Sequence, residues 1–121
     1  MPLADEITYI HEPTDLQCGQ AVLAMLAGVS VEEIINFTKT DRETDLKQMF
    51  MALDHYGIKY NRTRLLANDK SELPEIALLS LETPRCWHWS LYFGGTFYDP
   101  EHGVMDDFPT AKRKFYWEIK K

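Results

Sequence analysis

Two glycines, Gly94-Gly95, constrain this chain more than any other feature, because they join two runs that read as strands. Cys86-Trp87-His88-Trp89-Ser90-Leu91-Tyr92-Phe93 lies on one side and Thr96-Phe97-Tyr98-Asp99 on the other. A two-residue glycine connection accommodates a type I′ or II′ turn, and that sets the register of an antiparallel hairpin. Phe93 then faces Thr96, Tyr92 faces Phe97, Leu91 faces Tyr98 and Ser90 faces Asp99. Side chains alternate along a strand and opposed residues share a face, so Cys86, His88, Ser90, Tyr92, Phe97 and Asp99 project to one side. His88 and Asp99 become diagonal neighbours with Cβ atoms ~7 Å apart, a gap that an imidazole and a carboxylate can bridge. A slip of one residue would undo the arrangement. Trp87, Trp89, Leu91 and Phe93 form the opposite, apolar face, which is expected to pack against other elements.

The other half of the chain reads as helices. Ala21-Val22-Leu23-Ala24-Met25-Leu26-Ala27, closed by Gly28, is apolar on almost every side, the pattern of a helix buried between layers. Ser30-Val31-Glu32-Glu33 fits a capping box that opens a short helix ending near Phe37. Thr44 is the expected N-cap of a third helix, in which Leu46, Met49, Phe50, Leu53 and Tyr56 recur at helical spacing until Gly57. From Ile58 the period changes. Ile58-Lys59-Tyr60-Asn61-Arg62 alternates as a strand, Asn68 to Pro74 is a polar connection, and Ile76 to Leu81 is a continuous apolar run of the buried-strand kind. Phe115, Trp117 and Ile119 alternate with Tyr116, Glu118 and Lys120, which predicts a half-buried edge strand protected by lysines.

Length and charge bound the classes of function. The 121 residues suit one domain, 1–121, with a core of its own. A net charge of −6 argues against a nucleic-acid or anionic-membrane surface, and no apolar stretch approaches a membrane span. The basic, aromatic tail Lys112 to Lys121 is read as strand rather than as a nucleic-acid patch. The N-terminus carries acids where a secretory leader carries bases, so Cys18 and Cys86 are expected to be free thiols in the cytoplasm.

Cys18 stands just ahead of the buried helix. A helix N-terminus directs free N–H groups and the positive end of its dipole at such a thiol, favouring thiolate. With His88 as base and Asp99 as orienting carboxylate, the three residues have the types a thiol nucleophile requires. Each also has a structural reading. Cys18 alone fits a small core hydrophobe, and His88 a satisfied strand histidine. Cys18, Cys86, His88 and His11 lack the paired spacings of a structural zinc site, so no metal or other cofactor is expected. His55 and His102 read as surface residues.

Cys18-Gly19-Gln20-Ala21, Leu23, Met25, the run Gly28 to Glu33, His88-Trp89-Ser90-Leu91 and Tyr98-Asp99-Pro100 together resemble the C39-type papain-like cysteine peptidases. The resemblance spans most of the chain. It implies an α+β, papain-like fold with N-terminal helices packed on an antiparallel sheet. It implies a thiol-dependent amide hydrolase, a peptidase or isopeptidase, in which Cys18 attacks a carbonyl of a protein or peptide substrate to give a thioester. His88 would act as base and then acid, and Asp99 as orienter.

One position departs from the pattern. Family members usually carry a glutamine six residues before the nucleophile, where its amide N–H joins the cysteine N–H in the oxyanion hole; here it is Glu12. An ionised carboxylate only accepts hydrogen bonds and would oppose a neighbouring thiolate. Glu12 could be protonated by burial, Gln17 or His11 could replace it, or the chain could be a catalytically weakened papain-like module that binds a protein partner.

Overall fold

The computed structural model describes residues 6–120 and shows a small α+β domain, three helices on a six-stranded antiparallel sheet. The helices are α1 (Cys18–Ala27), α2 (Val31–Thr38) and α3 (Leu46–His55). The strands are β1 (Leu65–Leu66), β2 (Ile76–Glu82), β3 (Trp87–Phe93), β4 (Thr96–Asp99), β5 (Gly103–Met105) and β6 (Lys114–Glu118), in the spatial order β1-β6-β2-β3-β4-β5.

Local chemistry sets the helix ends. Residues Cys18 through Leu26 of α1 are all buried, as an all-round apolar run requires. Gly28 closes the helix at φ 70°, its N–H donating to Ala24 O. Ser30 caps α2 by accepting the Glu33 N–H at 3.1 Å, but only this half of the expected capping box forms, since the Glu33 carboxylate accepts from the Tyr56 hydroxyl instead. The cap of α3 is Asp45, not Thr44. Asp45 accepts from the Gln48 N–H and Gln48 Oε1 accepts from the Asp45 N–H, a reciprocal pair that a lone threonine cannot match. Thr44 is instead buried, its hydroxyl on Met49 Sδ.

The β3–β4 hairpin has the register that its glycine turn implies, with Leu91 opposite Tyr98, Tyr92 opposite Phe97 and Phe93 opposite Thr96. The apolar run forms β2, paired on both sides by β3 and β6. Two expectations about strands need correction. Ile58 to Arg62 makes only an isolated bridge, Tyr60 with Ile119, and the strand proper begins at Leu65. Nor is β6 an edge: β1 and β2 flank it, Trp117 enters the helix-side core, and Tyr116 is buried on the other face.

Both faces of the sheet are therefore covered. Leu23, Met25, Met49 and Leu53 meet Leu78, Leu91 and Trp117 on the helix side. Leu79, Leu81, Phe97 and Tyr116 form a second cluster beneath Met105 and Phe108. Among the described residues no single helix is long and apolar enough to cross a membrane.

Candidate functional site

Cys18 is the first residue of α1, so its backbone N–H has no partner within the helix. Its sulfur accepts the backbone N–H of Trp89 at 3.4 Å, which ties the helix start to β3. Gly19 is required by the same close packing. A Cβ there would overlap Thr44 Oγ1 and lie 3.1 Å from both Met49 Sδ and Trp89 Cδ1. The Trp89 indole in turn donates to Thr44 O at 3.0 Å.

His88 shares the side of the sheet occupied by Tyr92 and Phe97, at the open end of the hairpin. Its Nε2 lies 3.0 and 3.1 Å from the two Asp99 oxygens, as the pairing register implied. Its second ring nitrogen is left for the Cys18 sulfur. Burial alone would lower the His88 pKa, but the hydrogen bonds to Asp99 and to Cys18 and their charges outweigh it, raising it from 6.5 to about 10. These contacts favour the imidazolium form of His88.

Asp99 has no exposed surface, and burial would raise its pKa. The His88 contact, the backbone N–H of His102 and the Ser90 hydroxyl reverse this and hold it below the usual carboxylate value. Ser90 Oγ donates at 2.8 Å, and the Glu101 and His102 N–H groups at 3.0 and 2.9 Å. His102 is half exposed as expected, but its Nδ1 also lies 3.1 Å from Asp99. The sequence reading missed this role; the turn-forming Asp99-Pro100-Glu101-His102 was the available signal.

Glu12 is 5% exposed, and its backbone N–H donates to Pro100 O at 2.9 Å. One carboxyl oxygen, Oε1, is buried without a hydrogen-bond partner among the described residues. A carboxyl oxygen of Glu12, the Cys18 sulfur and a ring nitrogen of His88 all lie within 4.8 Å of one another. Burial is the main influence on Glu12 and exceeds the opposing effect of His88, so its pKa rises from 4.5 to about 7. Of the two alternatives to Glu12, Gln17 directs its Nε2 to Asp41 O at 2.9 Å, and His11 is exposed.

The zinc set weighed from the sequence does not assemble. Among the described residues, the groups whose ligand atoms converge are Glu12–Cys18–His88 and His88–Asp99–His102, without Cys86 or His11. His88 is common to both, with its Nε2 on Asp99 and its other ring nitrogen toward Cys18.

A cleft of about 430 Å³ opens beside Cys18 and His88, walled by Leu16, Thr44, Trp87 and Trp89, with Asp15, Glu43 and Arg85 around it. Cys86 is an exposed free thiol in this cleft, whereas Cys18 is buried. Trp87 departs from its expected packing. It is half exposed, stacked on Phe115 and lying under the Arg113 guanidinium, while Trp89 and Phe93 pack against the helix-side core. No protein-family model matches this chain, and no curated protein matches it.

Proposed function

We propose that the chain is a thiol-dependent amide hydrolase of papain-like fold, a cysteine peptidase or isopeptidase acting on a protein or peptide. The observation that carries this reading is the row Cys18–His88–Asp99, with the sulfur at a helix start and Asp99 on the far nitrogen of the imidazole. The reading extends to a cytoplasmic setting, where a free reactive thiol persists.

In this mechanism the Cys18 thiolate, paired with His88 imidazolium, attacks a carbonyl carbon presented in the cleft. A C–S bond forms, and the carbonyl π pair moves to oxygen, facing the free Cys18 N–H. Collapse of the adduct breaks the C–N bond as His88 gives its proton to the leaving amine. The sulfur is now uncharged in a thioester. One of the influences that raises His88 is thereby removed, so the imidazole is freed to take a proton from water. Attack by that water releases the acid and restores the thiolate, with Asp99 holding the ring throughout.

Competitive labelling with iodoacetamide, read site by site by mass spectrometry, tests the reading. Cys18 is expected to alkylate at least about tenfold faster than Cys86 at pH 7, despite its greater burial. If Cys18 reacts no faster than Cys86, the hydrolase reading fails and the partner-binding module takes its place.

A further inference from the structure

We propose that Glu12 serves this hydrolase as a neutral carboxylic acid, its O–H donating to the substrate oxyanion opposite the Cys18 backbone N–H. The inference rests on reading Cys18–His88–Asp99 as hydrolytic.

Position and surroundings carry it. Glu12 is almost fully buried, is tethered through its own N–H to Pro100 O, and shares a 4.8 Å cluster with the reacting sulfur and its base. Among the described residues Oε1 receives no hydrogen bond, whereas the neighbouring Asp99 accepts several. A buried ionised carboxylate is normally saturated with donors in the way Asp99 is, so an unpartnered one is the mark of a neutral acid.

The charges around Glu12 point the same way. From α1 it faces Cys18, from the segment before α1 Asp15, from β3 His88, from β4 Asp99, and from the following turn Glu101. Tyr9 lies on its own segment. His88 is the cation of this set, and its Nε2 is committed to Asp99. Arg85 is engaged with Asp15 and Glu101. Burial is the main influence toward the protonated form; Glu101, Asp99 and Asp15 add to it and His88 opposes it, with the rise of Glu12 to about 7 as the outcome.

A neutral acid can do what the carboxylate cannot. Its O–H donates a hydrogen bond to the developing oxyanion without transferring the proton, so Glu12 begins and ends the step neutral. The site therefore gains an upper pH limit. With a midpoint near 7, the donor form falls roughly 30-fold by pH 8.5, and the second oxyanion contact goes with it.

Two small reagents separate this donor from the nucleophile itself. p-Nitrophenyl acetate acylates a thiolate through a tetrahedral oxyanion: the C–S bond forms, the carbonyl pair moves to oxygen, and collapse expels p-nitrophenolate. Iodoacetamide alkylates by direct displacement of iodide, with no oxyanion. In a Cys86→Ser background, the ratio of acylation to alkylation at Cys18 reports on the oxyanion contact alone.

Glu12→Ala is expected to lower that ratio by roughly 10²-fold at pH 6. Glu12→Gln, which places a permanent donor there, is expected to match the parent at pH 6 and exceed it by roughly tenfold or more at pH 8.5. If Cys18 acylates rapidly but the ratio ignores both substitutions, Glu12 is not the donor and the hydrolase reading survives. If Cys18 is unreactive to both reagents in the parent, the hydrolase reading falls and this inference with it. Should Glu12→Ala be poorly folded by circular dichroism, the pH dependence of the near-isosteric Glu12→Gln decides alone.

Discussion

Gly19→Ala should destabilise the fold although it replaces glycine with the best helix former at the second position of a helix. On propensity alone the change gains about 1 kcal/mol, and less in a first turn. Against that, the new methyl would overlap Thr44 Oγ1 and press on Met49 Sδ and Trp89 Cδ1 at 3.1 Å. Thr44 is buried, its hydroxyl on Met49 Sδ and its carbonyl holding the Trp89 indole, so it has little room to yield. Overpacking of this kind costs about 1–3 kcal/mol, leaving a net loss of about 1–2 kcal/mol and a fall in Tm of roughly 4–8 °C. Urea denaturation of Gly19→Ala, Thr44→Ala and the double variant completes a cycle. Removing the threonine hydroxyl should relieve the overlap, so the double variant should be more stable than the sum of single effects predicts, by roughly 1 kcal/mol. Additive effects, or a stabilised Gly19→Ala, would refute the claim that glycine is there for close approach.

Two further outcomes follow from the titrating groups. Asp99→Asn removes the buried charge that offsets the desolvation of His88, so the His88 midpoint, followed by NMR, should fall from about 10 toward or below the ordinary histidine value; an unchanged midpoint would contradict the pairing. Glu12 is raised in the folded chain from 4.5 to about 7, so its contribution to stability is complete below 4.5 and is lost as pH rises through 7. Glu12→Gln lacks that loss, and its unfolding free energy relative to the parent should improve by on the order of 3 kcal/mol between pH 4 and pH 8. A constant difference across that range would mean that Glu12 does not titrate on folding.

What could be read from the sequence was whatever short-range chemistry decides. The Gly94-Gly95 turn sets the hairpin register without help from the rest of the chain, so the His88–Asp99 contact was accessible from pairing alone. Gly28 and Ser30 act on their own backbone neighbours, and both ends were legible. The cap of α3 was a local signal passed over, since Asp45 and Gln48 bond reciprocally within four residues. The other errors fall where distant segments compete. The lysines near β6 suggested an edge, but the short β1 covers that edge. Tyr116 is buried because Phe108 and Ala111 fold over the second face, which no alternation within β6 can foretell.

The site depends on the same division between near and far. His88 and Asp99 belong to one hairpin, whose register places them side by side. Cys18 arrives with the helical layer and reaches them at the open end of that hairpin, where the Trp89 N–H meets its sulfur. Its position therefore depends on the packing of α1 against β3, in which Gly19, Thr44 and the Trp89 indole interlock. Glu12 comes from a third source, the extended segment pinned to Pro100 beyond β4. A cysteine, a histidine and a buried glutamic acid supplied by three separate parts of the chain meet in the fold. The charge states that would let them act have opposite origins: His88 is held as an imidazolium by its contacts to Asp99 and Cys18 against its burial, whereas Glu12 is pushed toward the neutral acid by burial itself.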